Sequence, residues 1–164
     1  MFWNRHNMKI GLLSDTHGQL PAEIFEIFKD AELIIHAGDI GSVTILPDLK
    51  AIAPVKAVYG NVDSFPLVGQ LPRIDFIQAE QLTVCLTHIV NSFKGFSFEL
   101  FKLKKKADIV IFGHTHHSEL HEYNNILFVN PGSVSFPRGG SASVAMLEVN
   151  GAESKVDFFK LNGT

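Results

Sequence analysis

Cysteine is almost missing from this chain of 164 residues: Cys85 stands alone, which excludes an internal disulfide and fits a reducing compartment. Long apolar runs are missing too. The opening stretch MFWNRHNMKIGLLSD is broken by Asp15 before it reaches signal-peptide length, and nothing elsewhere approaches the ~18–20 apolar residues of a membrane span. The expected location is therefore the cytoplasm, with no membrane partner. Positive charge is not in excess. The formal net charge is −3, so the overall field draws the chain neither to nucleic acid nor to an anionic membrane. Internal repeats, linkers and low-complexity segments are absent, and the length suits one domain with a real core. Residues 8–164 read as that domain. Residues 1–7 read as an N-terminal extension, and Met8, just before the first strand, is a candidate start.

What is present describes an ordinary globular protein, 46% hydrophobic and 19% charged. The first half alternates short apolar runs with helical patterns. Strands are expected at Lys9–Ser14, Leu33–His36 and Val55–Tyr59, with helices at Pro21–Lys29 and Ser42–Lys50 between them. Such alternation implies parallel pairing through crossovers. In the second half, strands are expected at Arg73–Gln78, Leu82–Thr87, Asp108–Phe112, Glu119–Tyr123, Ile126–Val129, Ser143–Val149 and Lys155–Leu161. One helix, Ser97–Lys106, interrupts them, with Phe96, Leu100 and Leu103 on one face; Asn124-Asn125 and Asn150-Gly151 mark turns. The expected architecture is an α/β (α+β) fold with a central β-sandwich, a mixed sheet packed on a second sheet and helices outside.

The chemistry gathers where those strands end. The first ends in Asp15-Thr16-His17, the second in Gly38-Asp39 and the third in Gly60-Asn61-Val62-Asp63. The Leu82 strand ends in Thr87-His88 and the Asp108 strand in Gly113-His114-Thr115-His116. In open α/β sheets the C-terminal edge is where ligands bind. Asp, Asn and His each offer an oxygen or imidazole nitrogen to a divalent metal, and without cysteine the set suits zinc, manganese, iron or nickel. Seven candidates exceed the three protein ligands of a typical catalytic zinc site. Two metals about 3.5–4 Å apart that share one carboxylate would use all seven, and such pairs clamp a displacement at phosphorus.

In this order, SDTHG at 14–18, HAGDI at 36–40, GNVD at 60–63, THI at 87–89, GHTH at 113–116 and NPGS at 130–133 resemble the calcineurin-like metallophosphoesterases, particularly their small cap-less phosphodiesterase branch. The resemblance implies the four-layer αββα sandwich of that family, with two mixed sheets flanked by helices. It also implies one metal bound by Asp15, His17, Asp39 and His116, and a second bound by Asp39, Asn61, His88 and His114. Asp39 would bridge both, as would a hydroxide that attacks phosphorus. His17, Asp39, Asn61 and Asp63 are the expected catalytic residues, with Asn61 and Arg138 in contact with substrate. Manganese is the preferred ion pair; nickel, iron(II) and zinc are alternatives. The implied activity is hydrolysis of small phosphodiesters, with a homo-oligomer as a further expectation and no nucleic-acid partner.

Two departures carry consequences. Larger members have a histidine after Gly-Asn that can protonate the leaving group, and here that position is Val62. General-acid help, worth ~10²–10⁴-fold, then has to come from His17 or the substrate, or the leaving group must be acidic itself. At the fourth motif, where the family often has His-Gly-His, this chain has His88-Ile89-Val90, placing a β-branched side chain where glycine would admit backbone.

Other residues have blander readings. His36, inside an apolar strand, is expected to be a satisfied core histidine, and Asp63 to orient a loop or ligand. NPGS is expected to pack under the metal loops. Arg138 offers a forked donor to phosphate or stands on the surface. His6 and His121 are expected at the surface, and Phe93, Phe96, Phe98 and Phe101 mostly in the core. Lys102–Lys106 is expected to fill the last turn of a helix, where positive charge suits the dipole. If GHTHHSE runs extended, side chains alternate faces, so His114 and His116 point one way and His117 the other. Two rival functions remain. A non-catalytic scaffold resembling the retromer subunit of this fold would not need seven intact ligands. A nuclease of the same superfamily fits poorly with the negative charge and small size.

Overall fold

The computed structural model describes residues 7–162. Residues 1–6 of the extension, His6 included, lie outside the described residues. All ten expected strands form, in two five-stranded sheets. The first has the order β10 (Glu153–Lys160), β9 (Ser143–Asn150), β1 (Met8–Leu13), β2 (Leu33–His36), β3 (Val55–Ala57). The second runs β4 (Ile74–Ala79), β5 (Leu82–Thr87), β6 (Ile109–Ile111), β8 (Ile126–Pro131), β7 (Ser118–Tyr123). Both sheets are mixed. Strands β1, β2 and β3 pair in parallel, as do β5, β6 and β8, while the remaining neighbours are antiparallel.

Alternation along each strand builds the layers. Ile10 and Leu12 of β1 point to a shared core with Val84 and Leu86 of β5 and Ile109 and Ile111 of β6, so the sheets pack face to face. The intervening side chains face outward into two further cores. Leu13 of β1 and Ile34 of β2 meet Ile24 and Phe28 from the segment of α1 (Glu23–Ile27), and Leu49 of α2 (Ile45–Lys50). On the far side, Cys85 and Val110 meet Phe96 and Leu100 of α4 (Phe93–Lys102). Helix, sheet, sheet, helix is the αββα sandwich. Strands buried on both faces read as continuous apolar runs, which is why they stood out in the sequence. Among the described residues no helix is long and apolar enough to cross a membrane.

The helices depart from expectation. Helix α4 starts four residues earlier than the apolar pattern indicated, because the Ser92 hydroxyl accepts a hydrogen bond from the Gly95 N–H at 3.0 Å and caps it. It ends at Lys102, so Lys104–Lys106 lie beyond the last turn, and Lys104 itself has a φ of 53°. Phe98 and Phe101 are 56% and 74% exposed rather than core. A four-residue helix, α3 (Leu67–Gln70), occupies what read as a loop. In α2, Pro47 sits in the first turn, where its missing N–H has no helical partner to lose.

Candidate metal centre

The C-terminal edges of the two sheets meet at one rim, stitched by the backbone. Asp15 N–H donates to the Gly38 carbonyl at 3.0 Å and His17 N–H to the Asp39 carbonyl at 3.0 Å, joining the loops after β1 and β2. In the second sheet Gly113 N–H donates to the His88 carbonyl at 3.0 Å. The sheets are joined to each other where the His114 N–H reaches Asp15 Oδ2 at 3.2 Å. All seven expected ligands therefore come from five strand ends into one place. Asp15, His17, Asp39 and His116 offer donor atoms that all lie within 4.8 Å of one another. Asn61, His88 and His114 stand beside them: Asn61 Oδ1 lies 3.1 Å from His88 Nε2 and 2.9 Å from His114 Nδ1.

Asp39 stands between the two sets. Its Oδ2 is 3.2 Å from His88 Nε2, while Oδ1 accepts the Val62 N–H at 3.0 Å. The turn that brings Val62 there needs glycine at 60, because a Cβ would collide with the backbone N and Oδ1 of Asp39. Gly113 is pressed in the same way against the Ser14 hydroxyl, which holds Asp15 Oδ2 at 2.7 Å.

Five of the seven residues adopt left-handed backbone: Asp15 (φ 54°), His17 (φ 45°), Asp39 (φ 55°), His114 (φ 71°) and His116 (φ 62°). Asp and His tolerate this region better than most residues, yet each instance costs about 1–3 kcal/mol and such strain concentrates at functional sites. It also corrects the extended reading of GHTHHSE. The backbone coils through His114 and His116, and His117 is exposed beyond them for that reason rather than by strand alternation.

Hydrogen bonding tests whether a cation suits these atoms. His88 Nδ1 donates to the Ala37 carbonyl at 2.7 Å, which leaves Nε2 facing only oxygens, on Asp39 and Asn61. His116 repeats the arrangement, with Nδ1 on the Phe136 carbonyl at 2.6 Å and Nε2 at 3.1 Å from Asp15 Oδ1. A ring nitrogen facing only acceptors needs a proton or a metal ion. Asp15 Oδ1 and His17 Nε2 are buried without any hydrogen-bond partner. Orphaned polar atoms are rare in proteins, and here they converge, so the residues fit a divalent cation. The charges respond accordingly. Burial pushes the Asp15 carboxyl above its usual range. Burial also pushes up on Asp39, but hydrogen bonds from His88 and the Val62 N–H outweigh it and leave that carboxyl lowered. For His88, burial acts to lower the pKa and the bond to Asp39 reverses this, so the net shift is upward. Burial lowers His114.

The supporting residues are polar, and Asn130 and Ser133 among them are buried. Asp63 accepts the Gly41 N–H on one oxygen at 2.9 Å and the Gly60 N–H on the other at 2.8 Å, fixing two site loops as expected of a positioning carboxylate. Asn130 donates to the Gly113 carbonyl at 2.9 Å and to Thr115 Oγ1 at 3.0 Å, and Ser133 Oγ donates to the Asp15 carbonyl at 3.1 Å. NPGS does lie under the metal loops. Ser135, which drew no attention in the sequence, donates to the same carbonyl at 3.1 Å. The Arg138 side chain is exposed, and its backbone N–H donates to the His116 carbonyl at 3.1 Å. His36 is fully buried and satisfied, as expected.

Fold and donor set together define a β-sandwich protein with a candidate metal centre where its two sheets meet. The chain belongs to the calcineurin-like phosphoesterase superfamily, whose domain matches residues 8–152. It is 35% identical over 160 residues to a probable metallophosphoesterase of Methanothermobacter thermautotrophicus, covering 93% of this chain and 92% of that one. It is 32% identical over 165 residues to the phosphodiesterase MJ0936 of Methanocaldococcus jannaschii, covering 89% and 96%. The structure of Vacuolar Protein Sorting 29 from Cryptosporidium parvum superposes with a TM-score of 0.76 at 20% identity, over 94% of this chain and 98% of that one, and so shares the fold.

Proposed function

We propose that the protein is a dinuclear metal-dependent phosphodiesterase acting on small phosphodiesters. The observation that carries this reading is the convergence of the seven donors, with buried Asp15 Oδ1 and His17 Nε2 making no hydrogen bond while imidazole nitrogens of His116 and His17 stand 3.1 and 3.9 Å from that carboxylate oxygen. Asp15, His17, Asp39 and His116 would hold one ion, and Asp39, Asn61, His88 and His114 the other. Manganese suits this mixed oxygen and nitrogen set, and nickel, iron(II) or zinc are compatible. Such ions, when bound, activate water and neutralise charge developing on phosphoryl oxygens.

The chain's own residues supply orientation. The Ala37 and Phe136 carbonyls fix the tautomers of His88 and His116, keeping each Nε2 toward the centre. Asp63 holds the Gly41 and Gly60 loops in register and has both oxygens engaged, so it is poorly placed to pass a proton. Val62 contributes a half-exposed aliphatic side chain at the mouth. With Val62 unable to give a proton and Asp63 engaged by backbone N–H groups, esters of acidic alcohols or phenols are favoured.

The fold alone does not separate an enzyme from a scaffold, since Vacuolar Protein Sorting 29 shares it. The complete donor set, together with relatives named as phosphodiesterases at 30–32% identity, favours the enzyme. The test is elemental analysis with a metal-by-substrate screen over diesters, monoesters and cyclic nucleotides. Close to two transition metals per chain is the expected result, with hydrolysis of bis-p-nitrophenyl phosphate. No bound metal after manganese or nickel loading would refute the reading. Asp39→Asn should lose both metal and activity, whereas His117→Ala should keep both.

A further inference from the structure

Beside Asn61 and His88 the surface sinks into a cleft of ≈ 170 Å³, lined by Tyr59, Gly60, Arg73, Thr87 and Ile89 as well as those two residues. Its walls come from three parts of the chain held by specific bonds. The Tyr59 N–H donates to the Pro72 carbonyl at 3.2 Å, which sets Arg73 next to the loop leaving β3. Arg73 Nη2 then donates to Glu99 Oε1 of α4 at 2.8 Å. Ile89, directly after His88, adds a branched side chain to the same lining, where a glycine would add none.

The chemistry of this cleft is unlike that of the metal centre. Tyr59 and Ile89 offer an aromatic ring and a branched aliphatic chain. The charge of Arg73 is balanced by Glu99, so the cleft has no strong pull for a second phosphate. An arginine has five N–H donors, and Glu99 takes a single bond, which leaves donors for an uncharged acceptor. Size narrows the choice further. An apolar cavity of about 150 Å³ accepts benzene, so the space here matches a single six-membered ring rather than a fused bicycle.

We propose that this cleft receives one ester arm of the substrate, a single-ring aromatic group carrying a hydrogen-bond acceptor that Arg73 recognises. An aryl ester and a pyrimidine nucleoside share that chemistry. The inference rests on the phosphodiesterase reading for the position of phosphorus, and it selects among phosphodiesters by ring size. Tyr59 and Ile89 sort substrates, and Arg73 fixes the ring's orientation.

The test uses the full metal-loaded chain and two inhibitors that differ only in their substituent, methylphosphonate and phenylphosphonate. Burying much of a phenyl ring should make phenylphosphonate about tenfold the better competitor. Tyr59→Ala and Ile89→Gly should each bring the two inhibition constants to within about twofold, leaving that of methylphosphonate in place. A folding defect would shift both inhibitors together. Equal constants in the wild type, or a preference that survives both substitutions, would overturn the proposal. Uridine monophosphate exceeding phenylphosphonate would identify the nucleoside source, and the reverse the aryl source. Adenosine monophosphate matching the better of them would overturn the size argument. A second readout separates this inference from the hydrolase reading. Ring-current shifts of the Gly60, Thr87 and Ile89 amides on adding phenylphosphonate to the zinc-loaded chain uphold the cleft even if no ester is cleaved. Shifts absent from those three amides in an active enzyme refute the cleft alone.

Discussion

His36 should make the protein acid-sensitive in a way that can be isolated. It is fully buried, and each ring nitrogen has one partner. Thr16 Oγ1 donates its single proton to the Ile40 carbonyl at 2.9 Å, so at 2.9 Å it must accept from His36 Nε2. Nδ1 in turn accepts the Gly38 N–H at 3.2 Å. Only the neutral ring fits: a second proton would sit on Nδ1 and face a donor. Burial, with a further push from His88, lowers the pKa from 6.5 to about 3. A base whose folded pKa lies below its unfolded one contributes full stability above 6.5 and loses it as the pH falls toward 3. Between those limits the slope is about 1.4 kcal/mol per pH unit, or about 2 kcal/mol lost by a pH of about 5. The assay is urea denaturation of chelator-treated protein across that range, wild type against His36→Gln. The substitution lowers stability at neutral pH, and the gap to the wild type should narrow as the pH falls, so the informative quantity is the slope. Parallel pH curves for the two proteins would show that His36 is not the titrating group.

Metal binding should weaken as the pH falls, because a proton and a cation compete for His88 Nε2, whose affinity for protons is raised by Asp39. Calorimetric titration with manganese at two pH values, with proton release on binding, checks this; a pH-independent affinity speaks against it. Asn130→Ala removes bonds to the Gly113 carbonyl, Thr115 Oγ1 and the Gly132 N–H at once, and should cost about 2–3 kcal/mol in chemical denaturation. A cost under about 0.5 kcal/mol would mean that water replaces it freely. Gly60→Ala drives a methyl group into the Asp39 backbone and carboxylate, so metal content should fall even where circular dichroism stays native. Full metal occupancy in that variant would show that the loop yields.

Strands and candidate metal donors were legible in the sequence for related reasons. Strands such as Leu82–Thr87 are buried on both faces and so are mostly apolar, while their ends carry short polar motifs at fixed chain order. Helix α4 was placed too far along the chain because exposed Leu103 extends the stripe of buried Phe96 and Leu100, whereas its true start depends on one hydroxyl, that of Ser92. The left-handed turns at Asp15, His17, Asp39, His114 and His116 were hidden, since these residue types usually adopt ordinary backbone and only the packed rim enforces the alternative. His117 is exposed as expected, but the coiled backbone through His114 and His116, not strand alternation, puts it there. Ser135 and Arg138 contribute through single bonds that no motif announces.

The carbonyls of Ala37 and Phe136 have one last implication. Both histidines they aim are oriented by main-chain atoms, which every substitution leaves in the chain. Mutation can delete a donor, but it cannot delete the groups that point His88 and His116. A copy of this gene drifting without selection would therefore lose its ligands one at a time while the survivors stayed aligned. Restoring a lost side chain would then be enough to rebuild the centre, so inactive descendants of such a protein should be unusually easy to revive by single reversions.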